Sequence, residues 1–216
     1  VPEIRRRILF SLFVILVFRL LAHIPVPGVQ QEAIKAFFSK SEIFSIFNMF
    51  SGGGFQNFSI VALGLSPYIN ASIIIQLFTT LVPSLEELSK EGEQGREILN
   101  NYTRLLTLPL ALFNAYGLYI ILRSQNVIDP LATTNLIVLI LTLTAGTMIL
   151  MWVGDLVTEY GIGQGISLLI FAGIVSALPR GLIQFLSTAG TMDPLTIAVI
   201  VLVGLALLVL VTVVNE

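Results

Sequence analysis

The chain has 216 residues and a mass of 23.6 kDa, with 56% apolar residues, 11% charged residues and a mean hydropathy of +0.94. Soluble domains carry about 25% charged residues, so this composition excludes a water-covered globule and points to an all-α membrane protein, a multi-span helical bundle. A net charge of −2 leaves no basic footprint for nucleic acid, and the absence of cysteine excludes disulfides, thiolate metal sites and cysteine nucleophiles.

Val1 is not a translational start, so the sequence reads as a piece of a longer chain. Arg5, Arg6 and Arg7 precede a first apolar run at 8–24, interrupted only by Arg19 and His23. A secretory signal would show a small-residue cleavage site here; none follows, so this is a retained helix. Arg19 falls in the outer half of the span, where its long side chain snorkels outward or pairs inside the bundle. His23, the one histidine, is followed by Pro25 and Pro27 and reads as an interfacial residue.

The second run, 48–82, carries no charge. Its stretch 55–82 would make a straight helix of about 42 Å at 1.5 Å per residue, against a hydrocarbon core of about 30 Å. Gly52-Gly53-Gly54 stands before it and Gly64-Leu65-Ser66-Pro67 within it. Glycine and proline together punctuate helices. The run therefore divides into a short helix at 55–63, entering from outside, and a second helix at 67–82 that completes the crossing. One long tilted helix with a proline kink is the competing reading. Irregular backbone at membrane depth survives only when buried in protein or lining a wet cavity, so the break is a functional candidate. On the second helix, Ile69, Ile73, Gln76 and Thr80 share one face, and Ser72 stands four residues from Gln76. Such a face either walls a path that is sometimes wet or packs with one interhelical hydrogen bond.

Segment 83–104 holds 8 of the 24 charged residues, with Gly92 and Gly95 suggesting a hairpin-like cytoplasmic excursion. It is either a solvated loop or, through Lys90 and Arg96, a docking surface for a soluble partner. Apolar runs at 105–122, 136–153, 162–178 and 195–214 bring the total to six crossings. With the N-terminus inside, six basic residues lie on the cytoplasmic side and four outside, and the triple arginine beside the first helix sets the orientation. Asp155 and Glu159 then fall in a short cytoplasmic loop. Gly161-Ile162-Gly163-Gln164-Gly165 lacks the lysine of a nucleotide-binding loop and opens the fifth helix instead. No catalytic constellation or cofactor motif emerges, so the chain does not read as an enzyme.

Several blocks together resemble one family. They are Ile24-Pro25-Val26-Pro27-Gly28, Asn48-Met49-Phe50-Ser51-Gly52-Gly53, Ala62-Leu63-Gly64, Pro67-Tyr68-Ile69 and Ala71-Ser72-Ile73-Ile74-Ile75-Gln76-Leu77. Further along come Lys90-Glu91-Gly92-Glu93 with Gly95-Arg96, Gly146-Thr147-Met148 with Met151-Trp152, Gly161-Ile162-Gly163 with Gly165-Ile166-Ser167, and Phe171-Ala172-Gly173-Ile174-Val175. The chain is similar over nearly its whole length to the SecY/Sec61-alpha family of protein-translocation channel subunits.

That resemblance implies a ten-helix channel of two pseudo-symmetric halves clasped by SecE. Residues 1–186 would supply the five spans of the N-terminal half and 187–216 the sixth span. It assigns Phe55, Gln56, Asn57, Phe58, Ser59, Ile60, Val61, Ala62 and Leu63 to a plug, and Leu65, Ile69, Ile166 and Ile170 to one side of a pore ring. Ser72, Ile73, Gln76 and Thr80 would belong to the lateral gate. The implied partners are SecE and SecG, the SecA ATPase, the ribosome, preproteins bearing signal sequences, and lipid. The implied location is the bacterial plasma (inner) membrane, with the N-terminus cytoplasmic. A ring of branched apolar side chains suits such a pore, because it gates by dewetting and yields around any passing sequence. The runner-up is a secondary transporter with a discontinuous helix and a midplane site. Such a site needs polar ligands, and the break offers only Leu65, Ser66, Ile69 and Asn70. A scaffold whose loops merely dock partners is the third reading.

Overall fold

A computed structural model describes residues 2–26, 32–34, 54, 57–189, 202–204, 206–207 and 209–213. The helices are α1 (Pro2–Leu21), α2 (Ser66–Leu81), α3 (Pro83–Lys90), α4 (Glu93–Ser124), α5 (Thr133–Tyr160) and α6 (Gly165–Ala189). An apolar helix at Leu202–Val213 follows. Among the described residues the only strand-like feature is an isolated antiparallel bridge between Pro25 and Ser59. Residues Val1–Ser176 form one compact unit and Ala177–Glu216 a second.

α4 and α5, of 32 and 28 residues, are each long and apolar enough to cross a membrane. α1 has the length, 20 residues, but carries four arginines. α2 and α3 bend by 104° at the break between them. The bend has a local cause. Val82 precedes Pro83, and a residue before proline is pushed toward extended backbone; Val82 sits at φ −110°, ψ 111°. Pro67 in the first turn of α2 and Pro83 in that of α3 cost no hydrogen bond there, where the N–H would be unpaired anyway.

The turn from α3 into α4 needs Gly92, at φ +77°. Gly95 then lies against the Leu88 carbonyl with no room for a methyl group. α4 buries one stripe, Thr103, Thr107, Ala111, Ala115, Leu118 and Leu122, at helical spacing. α5 buries Leu139, Leu143, Thr147, Leu150 and Val157, with Gly146 and Gly154 between them. Small residues let helix backbones approach closely, which replaces the hydrophobic drive that lipid cannot supply.

Four expectations are corrected. Segment 83–104 is not a loop: α3 fills its first part and α4 begins at Glu93, twelve residues before the apolar run. Asp155 and Glu159 belong to the last turns of α5, and only residues 161–164 link α5 to α6. α6 likewise continues through Pro179 to Ala189. In each case the apolar run marks the lipid-matched stretch, while helical hydrogen bonding continues through polar residues with adequate propensity. Finally, the described part of the expected short helix, 57–63, runs as successive turns; Phe55 and Gln56 lie outside the described residues.

Candidate functional site

The segment 57–65 returns to the end of α1 and is held there largely by backbone. The Val26 N–H donates to the Phe58 carbonyl at 2.9 Å, and the Ile60 N–H to the Ile24 carbonyl at 3.0 Å. The Asn57 side-chain amide donates to the Ala22 carbonyl at 3.3 Å. Internal turns close through Ala62 N–H to Ser59 O and Gly64 N–H to Val61 O, both 2.9 Å. Gly64, at φ +58°, then redirects the chain into α2.

The side chains divide between two cores at i, i+4 spacing. Phe58 and Ala62 pack with Val26, Leu118, Leu122 and Leu143. Val61 and Leu65 pack with Val14, Phe18, Leu150, Val157 and Leu169. Phe58 and Val61 are fully buried, and returning either to water would cost about 2 kcal/mol. Gly146 of α5 receives the Ile60 carbonyl, and a methyl group there would collide with it.

Leu65 and Ile166 are buried in the same cluster, and Ile170 packs against its edge. Ile166 sits directly on Gly154, whose missing Cβ makes the room. Ile69 lies outside this cluster and is 37% exposed. On the same open side of α2, Ile73 is exposed and the Gln76 amide donates to the Ser72 hydroxyl at 3.4 Å. The Thr80 hydroxyl donates to the Gln76 carbonyl at 3.3 Å. These polar groups are thus satisfied along the helix rather than across it. Lys90 pairs with Glu86 at 2.6 Å on α3, and this ammonium holds the Glu86 carboxyl below the usual carboxylate range. Arg96 is exposed on the first turn of α4.

Two polar contacts were not visible in the sequence. Arg104 of α4 bridges Asp155 of α5 at 2.9 Å, and the Tyr68 hydroxyl of α2 donates to Asn100 of α4 at 3.4 Å. Asn100 and Arg104 are one turn apart, so one face of α4 ties both neighbours. Pairs separated by 32 and 51 positions leave no local pattern to find. Arg19 donates to the Ser176 carbonyl at 3.3 Å, in keeping with the expected pairing inside the bundle.

The SecY family model matches residues 59–216. The chain belongs to the SecY family. Protein translocase subunit SecY of Pseudomonas aeruginosa is 46% identical over 208 residues, covering 95% of this chain and 46% of that protein. The SecY subunit of Aquifex aeolicus is 41% identical over 210 residues, covering 92% and 49%. The chain therefore spans about half the length of the relatives it matches.

Solved structures agree in fold. A protein-conducting channel aligns with TM-score 0.62 at 19% identity, over 89% of this chain and 43% of that one. A SecY structure whose plug domain is described as stabilising the closed translocation channel and maintaining a membrane seal aligns with TM-score 0.63 at 20% identity, over 89% and 42%. Canine Sec61 from a ribosome-channel complex gives TM-score 0.59 at 20% identity, over 89% and 43%. This SecY-family chain is thus an all-α membrane protein with the fold of those channels.

Proposed function

We propose that this chain supplies the plug-bearing half of the Sec protein-translocation channel. It passes unfolded secretory polypeptides across the bacterial plasma membrane and releases transmembrane segments sideways into lipid. The observation that carries this reading is the segment 57–65, buried among helices yet held to the end of α1 mainly by two main-chain hydrogen bonds. Residues 55–63 act as the plug. Leu65, Ile69, Ile166 and Ile170 contribute one wall of the apolar ring, and the open side of α2 with Ser72, Ile73, Gln76 and Thr80 contributes to the lateral gate.

The N-terminus is cytoplasmic, as the triple arginine favours. α3 and the start of α4, with Lys90 and Arg96, then face the cytoplasm and dock the SecA ATPase or a ribosome. SecE and SecG complete the complex, and the driving energy comes from the partner rather than from chemistry in this chain. SecY family membership and an apolar break favour this reading over a solute transporter, whose midplane site would need polar ligands.

The test is deletion of 55–63 in the full-length protein carrying this segment, reconstituted with its partner subunits in planar bilayers. Resting ion conductance rises while translocation persists. Unchanged conductance would remove the plug assignment.

A further inference from the structure

The seated segment contains two adjacent features that disfavour it. Ser59 is fully buried, with 0% exposure, and among the described residues its hydroxyl has no hydrogen-bond partner. Its backbone is satisfied, since the Ser59 N–H reaches the Gly54 carbonyl at 2.9 Å and the Ser59 carbonyl accepts from Ala62. The orphan is therefore the side chain alone. Next to it, Phe58 sits at φ +44°, a left-handed conformation that bulky residues rarely adopt. Opposing these are the apolar burial of Phe58 and Val61 and the main-chain bonds to Ile24 and Val26.

We infer that Ser59 sets the threshold for plug release, and with it how strong a signal sequence must be to open the channel. This rests on the plug assignment above. When the segment leaves its seat, water satisfies the hydroxyl, so the penalty applies to the closed state only. A buried hydroxyl without a partner biases such an equilibrium by about tenfold. Alanine at this position keeps the burial and the backbone bonds and deletes the orphan. The closed state then becomes more populated, and the channel more stringent. A weak signal sequence, with little binding energy to spend on displacing the plug, is affected first; a strong one still opens the channel.

The experiment uses full-length channels with their partner subunits in planar bilayers and in vesicles. Ser59→Ala lowers the frequency of openings induced by a synthetic signal peptide by about tenfold. In vesicles it suppresses translocation of a preprotein with a shortened apolar signal, while one with a full-length signal still passes. A second variant guards against simple misfolding. Gly146→Ala pushes on the Ile60 carbonyl and raises resting leak; adding Ser59→Ala to it lowers that leak again. Structural damage from Ser59→Ala would instead add to the leak. If Ser59→Ala raises leak, or leaves peptide-induced opening unchanged while deletion of 55–63 still raises conductance, the threshold role is overturned and the plug stands. If neither the deletion nor Gly146→Ala alters leak, the plug assignment and this inference fall together.

Discussion

Ile69 and Ile166 carry the same side chain in opposite surroundings. Ile69 is 37% exposed on the open side of α2, whereas Ile166 is buried among Leu65, Leu150 and Leu169. The physics of the two substitutions therefore differs. Asparagine at Ile69 meets no filled interface among the described residues, so it disturbs the packing of this unit less than asparagine at Ile166 does. If Ile69 lines the constriction, its new amide wets it, and ion conductance and passage of defective signal sequences increase. Asparagine at Ile166 leaves an amide among apolar neighbours and costs about 2 kcal/mol. Thermal unfolding in detergent and single-channel conductance, measured on both variants, separate the two outcomes. Equal conductance for Ile69→Asn and the parent channel would remove Ile69 from the ring.

At the scale of elements, α2, α4 and α5 are joined by contacts from one face of α4. The Arg104–Asp155 side chains are partly exposed, at 39% and 28%, so the bridge is worth less than a fully buried pair. Breaking it by Arg104→Gln or Asp155→Asn should cost about 2 kcal/mol, seen as a lower unfolding midpoint. Exchanging the two, Arg104→Asp with Asp155→Arg, should recover part of that loss; no recovery would show that packing rather than charge matters there. Apolar runs located the lipid-matched core of α4 and α5 because burial in lipid writes itself as local composition. Helix ends were misplaced because Glu93–Arg104 and Asp155–Glu159 carry helix in polar dress. The short helix expected at 55–63 became turns at its described positions because hydrogen bonds to Ile24 and Val26, thirty-odd residues away, replaced the helical ones.

For the whole molecule, charge is concentrated in one stretch of the chain. α3, the link after it and the first turns of α4 gather Glu86, Glu87, Lys90, Glu91, Glu93, Arg96 and Glu97, all of them exposed, at the end of the bundle beside the open side of α2. Photocrosslinkers at positions 90 and 96 of the full channel should capture SecA, or ribosomal proteins when nascent chains are present. If neither probe yields a partner in actively translocating complexes, this end is an ordinary solvated surface. Which side chains meet at the candidate site was only partly legible. Leu65 and Ile166 share a packed cluster, and nothing in the pattern signalled that Gly146 makes the notch for Ile60 or that the Ser59 hydroxyl has no partner among the described residues. Such facts depend on the exact approach of distant backbones, which composition and periodicity do not encode.

The two main-chain bonds between Ile24–Val26 and Phe58–Ile60 turn the protein into its own recorder. The amides of Val26 and Ile60 are consumed in them, so neither hydrogen exchanges with solvent while the segment stays in place. Departure of the segment as a unit would expose both at once. In deuterated buffer, the rate at which these two positions acquire label counts departures directly, without dye, crosslinker or electrode. A signal peptide that opens the channel should accelerate labelling at 26 and 60 together and leave the α4–α5 interface protected. Labelling of the two positions at different rates would mean that the segment frays from one end rather than leaving as a unit.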